Sequence, residues 1–454
     1  MEDYDETICR YSRFFIFLFS KSFLSVEEVM KFAFESGFCK RNSGKITAPD
    51  FLLHFCFQSL KGTVSYNDLA AKIESQTGVN ASRQAYHQRM GNECDAFFQS
   101  ALETVTLSKH QTEDVQKLIK AKQFKRILAR DSTVIRLPLR LSEQFSGVKN
   151  ARTSVCNARI QGIYDLISQK FIAFSIDSYS KNDVSVTLDI PVEPGDLVLR
   201  DRGYFTVQAM DELKSQGADS IFRYKHKTAF FDIENNEEIN LLKYLKENGS
   251  IDTMILARSK EKHKVRIIAA PVSEETANAR RMKAKKESKS RNPSKELLEL
   301  MSWNIFVITI STPEITFETV LKIYGLRWRI ENIFKTWKSN FNFDKIHNVS
   351  EQQLRVLIKA RFIMIVFLNQ RLFNPLSGKI KTISDKRLSM MKFMRYISKN
   401  LNVIPRILDI RNVSNDALPT LIRFCAYDKR KRLNFEQQME QVILEINMID
   451  FSLA

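Results

Sequence analysis

The sequence predicts a multidomain chain: an α/β centre in which a mixed sheet is covered by helices, a β-rich basic segment within that centre, and helical regions on either side. Three observations carry this. The chain has 454 residues, room for several domains of roughly 100–200 residues each. Apolar residues recur every three or four positions towards both ends, the period of a helix, and between them the pattern switches to strand-like alternation. Hydrophobic residues make up 44% of the chain, enough for a full core, while only 13 Gly and 10 Pro exclude collagen-like and low-complexity classes. The expected divisions are a helical region at 1–118, the α/β centre at 119–345 with the basic segment at 227–300, and a helical region at 346–454.

Residues 1–118 show apolar positions at helical spacing through Phe51–Phe57, with Gly62, Gly78 and Gly91 as punctuation. Ser65-Tyr66-Asn67-Asp68 resembles a capping box with Asp in the acidic position, so a helix starts there, carries Leu69, Ala70 and Ile73, and turns at Gly78. A second helix starts near Ser82 with Arg83, Gln84, His87, Gln88 and Arg89. Amide and basic side chains on the second helix of such a pair are those that read base edges in a helix-turn-helix. A plain pair of short helices with polar outer faces has the same pattern.

From about residue 119 strands follow. Phe124–Leu137 alternates, with Ile127, Ala129, Asp131, Thr133 and Ile135 on one face. Residues 157–164 and 170–177 form a hairpin around Ser168-Gln169, Asp196–Asp201 is a strand closed by Gly203, Thr206–Lys214 is a helix and Ala218–Tyr224 a further strand. A helix between strands is the mark of an α/β layout. Short β runs at 253–257 and 265–269 precede a stretch from Arg280 to Lys295 with eight basic residues and one acidic residue. It contains Arg280, Arg281, Lys285 and Lys286, and it reads either as a solvated helix face or as a track for an anionic partner. Trp303–Ile310 returns to strand character, Phe317–Phe341 reads as one long helix, and 351–373, 387–399 and 431–447 add helices.

The formal net charge is +18, from 70 Lys+Arg and 52 Asp+Glu. That balance fits a polyanion such as nucleic acid as a partner, or a merely basic protein. The six cysteines are scattered, with no C-x-x-C pair, and read as free thiols in a reducing compartment. No apolar run reaches the roughly 18 residues of a membrane span; Phe14–Phe19 and Phe362–Leu368 are too short. The start is acidic, unlike a signal peptide. A cytoplasmic protein with no membrane contact is expected.

The chemistry concentrates in Tyr324–Lys338. On a continuous helix Tyr324, Arg327, Glu331 and Lys338 fall within a stripe about 60° wide. A carboxylate flanked by two cations and a phenol suits a place where a metal meets a phosphodiester; a surface i,i+4 ion pair between Arg327 and Glu331 would use the same spacing. The strand aspartates add to this. Asp131 shares a face with Ile127, Ala129 and Ile135, and Asp201 with Leu197 and Leu199. A carboxylate on an apolar face is costly unless paired, neutralised or metal-bound. Two of them with a helical Glu make the carboxylate cluster of a two-metal phosphoryl-transfer site.

The spacing Y-x2-R-x3-E-x6-K, formed by Tyr324, Arg327, Glu331 and Lys338, resembles the signature of the DDE transposases of insertion-sequence family four. Asp131-Ser132-Thr133 resembles that family's first aspartate block and Asp201-Arg202-Gly203-Tyr204-Phe205 its second, in the expected order. The resemblance covers about 119–345. It implies a ribonuclease-H-like catalytic core with a β-rich insertion between Asp201 and Glu331. It further implies cut-and-paste transposition of an insertion sequence in a bacterial cytoplasm, at the nucleoid. Asp131, Asp201 and Glu331 would bind two magnesium or manganese ions; Tyr324, Arg327 and Lys338 would hold phosphates of the element end. Trp303 would stack on a flipped base, unless it is an ordinary core Trp. The partners implied are double-stranded DNA, as terminal inverted repeats and target, and a second copy of the chain in the paired-end complex. A hairpin intermediate comes with the family. Two rivals stand beside this reading: a ribonuclease-H-like nuclease acting on branched or hybrid substrates, and a transposase-derived DNA-binding regulator.

Overall fold

The structure, a computed structural model, describes residues 23–41, 45–107, 123–147, 155–180, 192–258, 261–288, 292–313, 315–408, 417–428 and 432–449. The Phe14–Phe19 run and Cys9 lie outside the described residues. The other five cysteines are buried and free, and among the described residues no helix is long and apolar enough to cross a membrane.

One mixed sheet of nine strands organises the molecule: β1 (Arg126–Arg136), β2 (Asn157–Asp165), β3 (Lys170–Ser178), β4 (Asp196–Arg200), β5 (Asp219–Arg223), β6 (Phe230–Phe231), β7 (Ile251–Arg258), β8 (Lys262–Pro271) and β9 (Trp303–Ile308). Their order is β3-β2-β1-β4-β5-β9-β8-β7-β6. The β1–β4 and β4–β5 pairs are parallel, and all the others are antiparallel. The β2–β3 hairpin turns at Gln169, whose φ is +53°. Asp165 fastens that turn by accepting from the amides of Ile167 and Ser168 and from Ile127 on β1. The β-rich segment at 227–300 adds its strands to the same sheet through β9, and its basic stretch falls largely on the helices Glu274–Glu287 and Lys295–Leu300.

The register of β1 and β4 is pinned at its start. Arg126 donates to both oxygens of the fully buried Asp196, at 2.9 and 2.5 Å, and the two residues face each other in the ladder. Alternation then sorts the side chains. Ile127, Ala129, Leu197 and Leu199 enter a large core on one face, shared with the N- and C-terminal helices. Val198, Phe222 and Val307 enter a smaller core on the other, with the helices Val207–Ser215, Leu241–Asn248 and Lys295–Leu300.

Two expectations need correction. The stretch Phe317–Phe341 is two helices, Phe317–Gly325 and Trp328–Phe341. Between them the backbone tightens to bonds three residues apart, Arg327 N to Tyr324 O, Arg329 N to Leu326 O and Ile330 N to Arg327 O. A helix so tightened has about three residues per turn, so angles calculated for a continuous α-helix do not hold across Arg327. The C-terminal region also holds helices that periodicity did not reveal, Asn374–Ser384, Ile404–Leu408 and Ala417–Cys425, and the last turns of the 351–373 stretch are a π-helix, Leu368–Phe373.

The helix pair at 65–90 forms as expected. Ser65 caps Tyr66–Thr77, Gly78 ends it at φ 72°, and Ser82 caps the six-residue Arg83–Gln88 with Arg83 and Gln84 exposed. This region has no core of its own among the described residues. Ala48–Ser59 and Asn92–Leu107 pack on Glu351–Phe367, and the fully buried Arg361 of that helix donates to the carbonyls of Ser59, Gly62, Phe343 and Lys345. Lys359 joins Asp95 at 2.7 Å.

Arg361→Ala would strip four carbonyls of their donor at once, three of them in buried bonds. With unpaired buried groups costing roughly 1–3 kcal/mol each, the variant should lose about 3 kcal/mol or more, read as a lower urea midpoint. An unchanged midpoint would show that the join does not depend on Arg361.

Candidate active site

The site is built where β1, β4 and the Trp328–Phe341 helix meet. Arg130 faces Arg200 in the parallel ladder, so the next residues, Asp131 on β1 and Asp201 just past the end of β4, stand level roughly 5 Å apart. Both follow the apolar side chains that face the larger core. Opposite Asp131 on β2 is Gly162. A Cβ there would lie 3.0 Å from the Phe334 ring and 3.1 Å from that of Phe171. The missing side chain lets the helix that carries Phe334 lie close on the sheet, which brings Glu331 to Asp131.

Arg327 joins these groups. Its guanidinium donates to Asp131 Oδ2 at 3.1 Å and to Glu331 Oε1 at 2.5 Å. The Tyr324 hydroxyl donates to Asp201 Oδ1 at 3.4 Å. Tyr324 and Arg327 are each 5% exposed, so the stripe seen in the sequence is not a solvated helix face. Lys338 reaches the sheet too, donating from Nζ to Val134 O at 2.7 Å. A cavity of about 540 Å³ opens here, lined by Asp131, Ser132, Thr133, Glu331, Phe334, Lys335, Lys338 and Ser339. Trp328, 57% exposed, lies with its ring 5.8 Å from the Arg327 guanidinium carbon; nothing in the sequence pattern singled it out.

The electrostatics mark a place short of positive charge. Burial pushes the Asp131 carboxyl up to about 7; Arg327 opposes this, while the charges of Glu331 and Asp201 add to it. Burial alone would lower Arg327, but Tyr324, Asp131, Glu331 and Asp201 together hold it above its usual range. Burial raises Tyr324 to about 12, so it stays a donor at neutral pH.

Other sequence candidates lie apart. Trp303 belongs to the smaller core on the opposite face, with its indole N–H donating to Gly249 O at 2.9 Å. Arg281 is spent within the fold, on Leu298 O, Ser302 Oγ, Asn278 Oδ1 and Glu274. Arg280 bonds Asn304 and the carbonyls of Met301 and Trp303. Lys285 and Lys286 are exposed, and so are Arg83 and Gln84 on their separate helix.

The three carboxylates are hard oxygen donors, and Asp131 and Glu331 already share one cation, which is the chemistry a divalent ion needs. Among the described residues no three acidic, His or Cys side chains are drawn tightly enough to enclose an ion. Arg327 stands between two of the donors, and Tyr324 holds the third. The donor set therefore fits a metal once the guanidinium gives way.

Comparison with known proteins decides the family. The transposase DDE domain family matches residues 122–367, a span that includes all three carboxylates and Lys338. The chain belongs to that family. Among curated relatives, the transposase for insertion sequence element IS1151 from Clostridium perfringens is 26% identical over 399 residues, covering 82% of this chain and 83% of the relative. That of IS231B from Bacillus thuringiensis subsp. berliner is 26% identical over 447 residues, covering 92% and 89%. Among solved structures, a piggyBac transposase synaptic complex with hairpin DNA aligns over 93% of this chain at 10% identity and a TM-score of 0.42, too distant a likeness to bear on the site.

The raised Asp131 carboxyl fixes the sign of a pH effect. The folded state holds its proton between 3.8 and about 7, where the unfolded chain has released it, so metal-free protein loses stability as pH rises through that window. Asp131→Asn should lose this part of the fall. Melting wild type and variant without metal from pH 4 to 7.5 should give curves that diverge in the variant's favour towards neutral pH; parallel curves would mean that Asp131 titrates normally.

Proposed function

We propose that this protein is the transposase of an insertion sequence, which cuts the DNA at the ends of its element and joins them to a target through a site formed by Asp131, Asp201 and Glu331. The observation that carries this is the meeting of three carboxylates from two strands and a helix around Arg327 and Tyr324, in a chain of the DDE transposase family. The Tyr324, Arg327, Glu331, Lys338 signature supports assignment to insertion-sequence family four. The order β3-β2-β1-β4-β5, antiparallel and then parallel, supports a ribonuclease-H-like core at 119–345, with 227–300 as its insertion and 1–118 and 346–454 as helical flanks.

In this reading Asp131, Asp201 and Glu331 hold two magnesium or manganese ions. When bound, the pair supplies an activated oxygen nucleophile and stabilises the leaving oxygen. The rest of the work belongs to the chain. Arg327 exchanges its carboxylates for a phosphate; its Nε–H has no acceptor among the described residues and its planar fork matches phosphate oxygens. Lys338 and the exposed Lys335 side of the cavity hold the strand that crosses it. Tyr324 keeps Asp201 turned towards Asp131. Arg83 and Gln84 read the terminal repeat, Lys285 and Lys286 follow backbone phosphates, and two copies pair the ends. The half-buried, hydrogen-bonded Trp303 is less suited to stacking on a base than the exposed Trp328.

The test is cleavage of a duplex that carries the element's terminal repeat. Asp131→Ala, Asp201→Ala and Glu331→Ala should each lose cleavage by 10³-fold or more, roughly the loss on removing one member of a catalytic group that acts as a unit, while still binding the duplex. Substantial magnesium-dependent cutting by any of them would take that residue out of the site.

Arg327→Ala separates its two roles. Without DNA, the variant lacks the guanidinium that competes for Asp131 and Glu331, so manganese should raise its melting temperature more than that of wild type, because at a given concentration a tighter ligand stabilises more. Paired-end complex formation should fall at the same time. Equal manganese shifts in the two proteins would mean that Arg327 does not occupy the donors.

A further inference from the structure

We propose that Arg223 and Arg280 form a second phosphate site, which grips the backbone of the bound DNA end beside the phosphodiester held at Asp131 and Asp201. This rests on the transposase reading and adds residues to it.

Arg223 ends β5. Because Arg200 faces Phe222 in the parallel β4–β5 ladder, Asp201 and Arg223 are neighbours across those strands. Arg223 lies on the same side as Ile221, which faces the larger core. Its guanidinium carbon is 6.0 Å from the ring centres of both Phe306 and Tyr324, and Tyr324 is the residue that holds Asp201. The side chain is therefore next to the carboxylate cluster, on the same face of the sheet.

Arg223 donates from one Nη to Asn304 Oδ1 at 2.8 Å. Arg280, reaching across from the Glu274–Glu287 helix, donates to the same oxygen at 2.7 Å, with longer bonds to Trp303 O at 3.3 Å and Met301 O at 3.4 Å. An amide oxygen has two lone pairs and no charge. It can orient two guanidiniums, but it neutralises neither. Among the described residues neither arginine has a carboxylate partner, and both are half-buried.

Four other arginines are satisfied differently. Arg126 faces Asp196, Arg266 faces Asp252, and Arg387 faces Glu440, each through a fork. Arg361 is enclosed by carbonyls. The Arg223–Arg280 pair alone among these brings two like charges together on a neutral acceptor, which is unfavourable until an anion arrives. Among the described residues Arg223 spends only one of its five N–H donors. A phosphodiester offers two charged oxygens, one for each fork.

The position selects the ligand. From β4 to β9 is two interstrand steps, roughly 10 Å. A DNA strand with one phosphate at Asp131 and Asp201 can place another within reach of this pair without leaving the sheet's edge. The contact would carry no sequence information; it would fix the register of the strand over the carboxylates.

The experiment uses full-length protein without divalent metal, a duplex carrying the element's terminal repeat, and a titration over a series of KCl concentrations. Arg223→Gln and Arg280→Gln should each lower affinity about 10-fold and flatten the salt dependence by about one unit of slope, the loss of one phosphate contact. A methylphosphonate placed at successive phosphates near the cleaved bond should weaken wild type at one position by a similar factor. At that position it should cost Arg223→Gln nothing more. Among the described residues Arg223 makes a single hydrogen bond, so its variant carries the test even if Arg280→Gln unfolds. Wild-type salt slopes in the folded variants, or methylphosphonate losses that add to the Arg223→Gln loss at every position, would overturn this site while leaving the transposase reading intact. Failure of wild type to prefer or cut its own terminal repeat would sink that reading, and this one with it.

Discussion

The register between β1 and β4 is the constraint on which the rest of the site depends. Two aspartates seventy residues apart in sequence are useful only if their strands lie side by side and at the same level. The pair of Arg126 with the fully buried Asp196 sets that level five residues upstream of both. A slip of one residue would turn Asp131 to the smaller core and leave Asp201 opposite Arg130 or Ser132 instead. Parallel pairing also sets Asp131, in the middle of β1, beside Asp201, where the chain leaves β4 and a helix can approach. Gly162 then allows Phe334 and its helix to close on that edge, and Glu331 follows.

Arg327 resolves the difficulty that this arrangement creates. Three carboxylates gathered on a largely apolar face repel one another, and burial strengthens the repulsion. A protein could answer with a permanent ion pair, as it does at Asp196, or leave the charge to an incoming cation. Here the answer lies between the two: one guanidinium spans two of the acids, a phenol holds the third, and Asp131 remains reluctant to ionise. The helix is tightened at this point, which is the local backbone irregularity that lets residue 327 face Asp131 and Glu331 together.

Much of this was legible in the sequence because it rests on short-range patterns. Alternation around Asp131 and Asp201 gave their strands and their face, and the spacing of Tyr324, Arg327, Glu331 and Lys338 gave the cluster. What was not legible depends on distant partners. The break at Leu326–Arg327 follows Gly325, a weak helix former, but the apolar period runs on through it and reads as one helix. Gly162 matters only because Phe334 lies over it. Arg280 looked like one of a run of basic residues and Arg223 like the end of a strand; it takes β9 and Asn304 to bring them together. The N-terminal helices read as a separate region, because nothing local reveals that their core is completed by Glu351–Phe367.

That shared core has a bearing on how the protein is made. Ser59 and Arg361, which bond each other, are 302 residues apart. Chains emerge from the ribosome N-terminus first, so the Ala48–Ser59 and Asn92–Leu107 helices wait, with their apolar faces uncovered, until the catalytic sheet has been synthesised and the Glu351–Phe367 helix has followed it. A message broken part-way would yield a product whose exposed arginine-bearing helix has no fixed platform. Such a fragment would present the apolar faces of these helices to solvent, as an unfolded chain does.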